Sequence, residues 1–154
     1  MTDKELEHDE RFMALALAEA QEAFDAGEIP VGAVIVSKGG RVIARGHNLT
    51  ETLTDVTAHA EMIAITSACN TLGGKYLPDC TLYVTVEPCV MCAGAIGWSQ
   101  IGRLVYGASD PKRGYSGYFS EGRSPLHPKT KITSGILAAD CSELMTTFFK
   151  RLRR

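Results

Sequence analysis

Segments with helix-like and strand-like patterns alternate along this 154-residue chain. Apolar residues at three- and four-residue spacing predict an opening helix over residues 9–26, which ends at Gly27 and Pro30. Two β-rich runs follow, residues 31–37 and 41–45, separated by glycines that suit a tight hairpin turn. A hairpin followed by alternating helices and strands favours an α/β fold with one mixed sheet covered by helices on both faces.

The rest of the chain continues the alternation. The pattern predicts, in order, a helix over residues 59–72, a strand over 80–86, a helix over 89–99, a strand over 103–106 and a turn-rich loop over 109–130. Asp140 and Glu143 have the spacing of an N-cap and its reciprocal partner, which predicts a last helix leading to the basic residues 150–154. Ligand sites in such folds collect at helix starts beyond strand ends, where His59 and Cys89 fall.

Length and charge limit the class of protein. The chain has the length of one domain, so we expect a single domain over residues 1–154. The longest apolar runs are far shorter than the roughly 20 residues of a membrane helix, and the polar, acidic N-terminus is unlike a secretory signal. We therefore expect a cytoplasmic protein with no membrane partner.

The charge is unevenly distributed along the chain. Residues 1–100 carry 6 Lys or Arg against 14 Asp or Glu, whereas residues 101–154 carry 10 against 4. A basic C-terminal third suits an anionic partner such as nucleic acid, although a solvated surface would use the same residues.

One histidine and two cysteines form a candidate metal site. Cys89 and Cys92 are too close in sequence for a long-loop disulfide, and a C-x-x-C pair in the cytoplasm is more often a metal or redox site. With His59 they offer one nitrogen and two sulfurs, the donor set that Zn²⁺ accepts in a tetrahedron. Three ligands leave the fourth position open for water, whereas a structural zinc site normally has a fourth protein ligand.

Glu61 follows His59 by two residues. On an ideal helix that spacing is about 200° around the axis, so we expect Glu61 to carry protons and not to bind the metal beside His59. The segments His59-Ala60-Glu61 and Pro88-Cys89-Val90-Met91-Cys92 together form the H-x-E and P-C-x-x-C signature of zinc-dependent nucleobase deaminases.

The chain resembles bacterial tRNA-specific adenosine deaminases of the cytidine deaminase superfamily over nearly its whole length. The resemblance is carried by residues 28–34, 57–61, 87–95, 101–103 and 135–137. It implies a three-layer α/β/α cytidine deaminase-like fold with a central mixed five-stranded sheet, a homodimer, and a tRNA anticodon stem-loop as partner. The implied reaction converts adenosine at the wobble position to inosine.

The resemblance also implies the roles of the signature residues. Zinc on His59, Cys89 and Cys92 presents hydroxide for addition to adenine C6. Glu61 protonates adenine N1, takes the water proton and later protonates the leaving amine, so that one carboxylate serves first as base and then as acid.

Further positions match residues of the family that contact the substrate. The side chain of Asn48 and the backbone of Ala60 match positions that line the base pocket. Asp110 and Lys112 match positions near the nucleotides that flank the target. Phe149 belongs to an aromatic and basic last helix, where a ring can stack on a base and cations meet phosphates.

Some residues allow more than one interpretation. Phe148 and Phe149 suit core or dimer packing as well as base stacking. The aromatic segment 115–119 borders the expected cleft and suits an RNA surface, a lid or a dimer contact. Cys69, Cys80 and Cys141 are expected in the core.

Two other functions compete with tRNA deamination. Deaminases of a free purine base or nucleoside, such as guanine, share the same zinc signature. A non-catalytic, zinc-containing RNA-binding module is the alternative outside the enzymes, and a fourth protein ligand such as Cys69 or His47 would favour it.

Overall fold

The computed structural model describes residues 1–153, which form four α-helices, one 3₁₀ helix and five β-strands. In chain order these are α1 (Asp3–Asp25), β1 (Gly32–Val36), β2 (Val42–His47), α2 (Ala60–Leu72), β3 (Thr81–Val86), α3 (Val90–Ser99), β4 (Arg103–Ala108), the 3₁₀ helix (Tyr115–Tyr118), β5 (Lys131–Ser134) and α4 (Ala138–Leu152). None of these helices within the described chain is long and apolar enough to span a bilayer. Arg154, the last residue of the predicted basic terminus, lies outside the described residues.

The five strands form one mixed sheet in the order β2-β1-β3-β4-β5. β1 pairs antiparallel with β2 and β3, whereas β3, β4 and β5 are parallel. Successive side chains of β1 enter opposite cores: Ala33 and Ile35 join the cluster with α2 and α3, and Val34 joins the cluster with α1. α4 packs on the same face as α1, through Cys141. The predicted α/β/α layers and five-stranded mixed sheet are confirmed.

Small residues bring the helices unusually close to the sheet. A Cβ at Gly32 would collide with the backbone of α1 at Ala16 and Ala20, and one at Gly46 would press on the backbone of α2 at Ala60. Because α2 approaches β2 this closely, the start of α2 is fixed against the end of β2.

The first helix begins six residues before its predicted start. Thr2 caps it by accepting the Glu5 N–H at 3.1 Å, and the Glu5 carboxylate accepts the Thr2 N–H at 2.7 Å. This capping box lies in the acidic N-terminal segment, where polarity masks the helical pattern.

The C-terminal part also differs from the pattern. β5 was not predicted from the residues because it is a four-residue, mostly exposed edge strand with no clear alternation. The prediction that Asp140 caps the last helix is wrong: α4 begins at Ala138, after Leu137 in the left-handed conformation, with no side-chain cap. Asp140 instead lies in the first turn, where its charge complements the helix dipole.

A partly buried ion pair joins α1 to β4. The Asp9 side chain is 2% exposed, and its two oxygens accept hydrogen bonds from the Arg103 guanidinium at 2.7 and 2.6 Å. Oδ1 also accepts the Tyr83 hydroxyl at 2.8 Å. These hydrogen bonds give Asp9 a structural role.

The close approach of α1 to β1 makes Gly32 sensitive to any side chain. We expect Gly32→Ala to lower the free energy of unfolding by about 1–3 kcal/mol, because the new Cβ forces α1 away from the sheet. Gly39→Ala is the matched control, since nothing lies within 4 Å of a Cβ there. Urea unfolding at one protein concentration measures both, and equal stability of the two variants would contradict the packing described here.

Candidate functional site

Two helix N-termini converge beyond the strand ends. His59 and Cys89 are the N-cap residues of α2 and α3, and both have an extended backbone and form no side-chain cap. Cys92 lies in the first turn of α3. The three side chains therefore leave their helices toward one point, where His59 Nδ1 lies 3.7 Å from Cys89 Sγ and 3.4 Å from Cys92 Sγ.

These distances fit a zinc ion. With Zn–N near 2.05 Å and Zn–S near 2.3 Å, a tetrahedral ion separates nitrogen from sulfur by about 3.6 Å. Over residues 1–153, the group of candidate ligand atoms around this point contains His59, Cys89 and Cys92 alone. His47 belongs to a separate group with Glu19 and Glu22, and Cys69 packs against the core. The donor set thus supplies three protein ligands and leaves the fourth position to solvent.

The pKa values of the two thiols shift in opposite directions. A hydrogen bond from Cys92 lowers the pKa of Cys89 to about 4, and the same hydrogen bond, with burial, raises the pKa of Cys92. The hydrogen bond to Cys89 also raises the pKa of His59. Because both cysteines bind a metal ion as thiolates, its binding at this point releases protons.

Glu61 lies beside the ligands without joining them. Its side chain is 3% exposed, contacts Cys92 and lines the same cavity. Burial raises the pKa of Glu61 to about 7. The helical-wheel angle of 200° does not apply, because His59 is an N-cap with extended backbone; both side chains face the cavity. Glu61 does not belong to the group of candidate metal ligands, and its role in proton transfer stays a prediction.

A cavity of about 550 Å³ lies over this point. Residues at the ends of β2, β3 and β4 line it on one side, and residues of α4 line it on another. The predicted residues that line it are Asn48, His59, Glu61, Cys89, Asp110, Lys112 and Phe149. Residues distant in sequence, from β2 to α4, therefore meet around one cavity.

Ala60 is not among the residues that line the cavity, so a contact of its backbone with the base stays a prediction. It is fully buried, and its N–H donates to Asn48 Oδ1 at 3.0 Å, so that Asn48 caps the first turn of α2. This hydrogen bond fixes the Asn48 amide. Because Oδ1 is occupied, Nδ2 is the atom of the amide that can donate to a ligand in the cavity.

The structure separates the two neighbouring phenylalanines. Phe148 is buried and packs edge-on against Phe24, with ring centroids 5.7 Å apart. Phe149 lines the cavity, so one ring belongs to the core and the other to the cavity wall. Of the segment 115–119, Tyr115 joins the core, whereas Tyr118 and Phe119 are exposed.

The three remaining cysteines lie where expected. Cys80 and Cys141 are buried, and Cys69 is partly buried against the core.

Two buried carboxylates that the sequence analysis did not identify hold the loops around the cavity. Glu28 Oε2 accepts the N–H and the hydroxyl of Thr52, each at 2.7 Å, and Oε1 accepts the Glu51 N–H at 3.1 Å. Glu87 holds the opposite loop, from Asp110 to Ser116. The available signal was an acidic residue one or two positions before a proline, in Glu28-Ile29-Pro30 and Glu87-Pro88.

The hydrogen bonds to Glu28 predict a pH-dependent contribution to stability. Burial raises the pKa of Glu28, but the hydrogen bonds from Thr52, Glu51 and Thr50 outweigh it and hold the pKa below the ordinary value of 4.5. The charged form is favoured in the folded state, so this contribution is complete above pH 4.5 and disappears as the pH falls through the lowered pKa.

We therefore expect Glu28→Gln to be less stable than the parent at about pH 6 and the difference to shrink toward about pH 3. Urea unfolding across this range measures it, and a difference independent of pH would contradict the assignment.

Comparison with known proteins agrees with this geometry. The family model of the cytidine and deoxycytidylate deaminase zinc-binding region matches residues 6–108. A tRNA-specific adenosine deaminase of Agrobacterium fabrum is 47% identical over 92% of this chain and 94% of its own length.

Two solved structures share the fold. One, from work on A-to-I editing by tRNA:A34 deaminases at the wobble position, has a TM-score of 0.80 and 47% identity, covering 87% of this chain and 98% of its own. A guanine deaminase from Nitrosomonas europaea has a TM-score of 0.77 and 27% identity, covering 90% and 83%. With the metal-ligand geometry and the matched region taken together, the chain belongs to the cytidine and deoxycytidylate deaminase family.

Proposed function

We propose that this protein hydrolytically deaminates adenosine to inosine at the wobble position of a tRNA anticodon. The observation that carries the proposal is the position of three side chains: His59 Nδ1 lies 3.4–3.7 Å from the sulfurs of Cys92 and Cys89, and buried Glu61 lies beside them in the cavity wall. A donor set of three leaves room for water, and the neighbouring carboxylate has no use in a purely structural zinc site.

The chemistry divides between the metal and Glu61. When bound by the trio, zinc supplies Lewis-acid activation of a water molecule near neutral pH. The Glu61 carboxylate accepts the proton of the attacking water and delivers a proton to adenine N1. It then accepts the proton of the hydroxyl group now on C6, as the C6 carbonyl forms and the bond from C6 to the exocyclic nitrogen breaks, and delivers that proton to the nitrogen, which leaves as ammonia.

The cavity supplies groups to hold the base and its neighbours. Asn48, whose Oδ1 accepts the Ala60 N–H, offers Nδ2 as a donor to the base edge, and the ring of Phe149 offers a stacking surface. Lys112 lies on the rim beside Asp110, where its charge suits the flanking phosphates. An unpaired anticodon base enters such a cavity at lower cost than a base in a duplex.

Two observations favour RNA over a free purine. The rim of the cavity includes Lys112, Arg113 and Arg153, and a neutral purine needs no cationic rim. The relatives named for tRNA are 44–47% identical over 92–96% of this chain, whereas a guanine deaminase of Bacillus subtilis is 43% identical over 71% of it and that of Nitrosomonas europaea 27% identical over 90%.

We also propose a cytoplasmic homodimer whose protomer is one domain over residues 1–154. The outer face of α3 is apolar, with Val90, Met91 and Trp98 exposed, and Trp98 is 84% exposed. An exposed apolar face marks an interaction site, and a two-fold axis would bring the same face of a second copy against it. β5 and α4, which follow the matched region, complete the same sheet and cavity. Reduced thiols at the metal site suit the cytoplasm.

The substrate is tested by incubating the zinc-loaded protein with an anticodon stem-loop and, separately, with guanine. We expect inosine in the stem-loop and no ammonia from guanine. Release of ammonia from guanine alone would overturn the proposed substrate.

The role of Glu61 is tested with Glu61→Ala. We expect this variant to keep zinc but to lose about 10²-fold or more in turnover, because proton transfer is lost. Near-normal turnover would overturn the role of Glu61.

The dimer is tested by light scattering after size exclusion. We expect twice the chain mass of 16.6 kDa for the parent and the chain mass itself for Trp98→Glu, because a buried charge opposes the apolar contact. Ile132→Glu, an exposed apolar position on β5, is the matched control and is expected to remain dimeric. A monomeric parent, or a dimeric Trp98→Glu, would contradict this interface.

A further inference from the structure

Glu87 connects the metal corner, the point where His59, Cys89 and Cys92 meet, to a loop on the cavity rim. It lies between β3 and the N-cap Cys89, and its side chain is 5% exposed. Oε1 accepts the Asp110 N–H at 3.1 Å, and Oε2 accepts the N–H and the hydroxyl of Ser116 at 3.1 and 2.6 Å. Both carboxylate oxygens are therefore occupied by donors of one loop.

Gly114 shows how closely the loop encloses this carboxylate. A Cβ at Gly114 would collide with the carboxyl carbon of Glu87 and the carbonyl oxygen of Asp110. The Gly114 backbone also pairs with Cys89, and the Tyr115 N–H donates to the Pro88 carbonyl at 2.9 Å. The loop is thus fastened to residues 87–89 through both side chain and backbone.

The same loop sets the position of two cations. The Asp110 side chain accepts the N–H of Lys112 at 3.1 Å and the N–H of Arg113 at 3.0 Å, which forms a tight turn. Lys112 and Arg113 are exposed and line the cavity. Because Glu87 binds the Asp110 N–H, it determines where this turn sits.

We infer that Glu87 is a positioning residue that holds the cationic turn of Lys112 and Arg113 at the cavity rim, so that binding of the RNA backbone depends on it. The inference rests on the proposed function. Glu87 acts through the loop, since its oxygens already have partners, and its effect belongs to substrate binding and not to proton transfer.

The test uses the zinc-loaded full chain and compares Glu87→Gln with the parent. In the variant the amide NH₂ must face a backbone N–H, so the loop loses hydrogen bonds at one end. We expect unchanged zinc content, a KM for the stem-loop raised about tenfold and a kcat within about threefold. Stem-loop affinity, measured by fluorescence anisotropy at several salt concentrations, should also fall less steeply with salt in the variant, by the equivalent of about one to two phosphate contacts.

Two further variants make the result specific. Ser116→Ala removes one hydroxyl donor at an exposed residue, and we expect a KM raised about two- to threefold with normal folding. Asp9→Asn makes the same carboxylate-to-amide change at a buried site outside the cavity. It is expected to lower the thermal midpoint without changing KM or the salt dependence.

A parent-like KM and salt dependence in Glu87→Gln would overturn the inference. Loss of zinc in that variant would also overturn it, because it would assign Glu87 to the metal corner. If the parent forms no inosine in the stem-loop, the proposed function fails, while the binding measurement still decides the role of Glu87.

Discussion

The meeting of two helix N-termini at one edge of the sheet is the constraint on which the site depends. His59 begins α2 and Cys89 begins α3, and both have an extended backbone that frees the side chain from capping. The N–H groups of these first turns favour thiolate sulfurs and any anion nearby. Gly46 fixes α2 against β2, and the parallel pairing of β3 with β4 fixes the strand that leads into α3.

Two buried acidic side chains hold the loops around this point. In Glu28 and in Glu87 both carboxyl oxygens accept backbone N–H groups, and each side chain also accepts a hydroxyl. Removing a partner of a buried carboxylate is costly, so these hydrogen bonds fix the loop geometry strongly. The fold therefore supplies a rigid metal corner and two rims whose shape depends on single side chains.

The sequence predicted the layers, most helix and strand positions and the metal trio, because periodicity and the H-x-E and P-C-x-x-C spacing are local signals. The pattern missed β5, whose existence depends on pairing with β4. It also predicted that Asp140 caps α4, whereas the N-cap residue in the folded chain is Leu137. Residue patterns could not assign Phe148 to the core and Phe149 to the cavity. Nor could they show that Glu87 and Ser116, far apart in sequence, form a hydrogen bond.

The central claim is a zinc ion held by three protein ligands with one position left to solvent. X-ray absorption at the zinc edge of the purified protein tests it most directly. The account predicts two sulfur neighbours near 2.3 Å and two light atoms near 2.0 Å, of which a single one is an imidazole nitrogen. A third sulfur, a second imidazole or a protein that binds no zinc would contradict it.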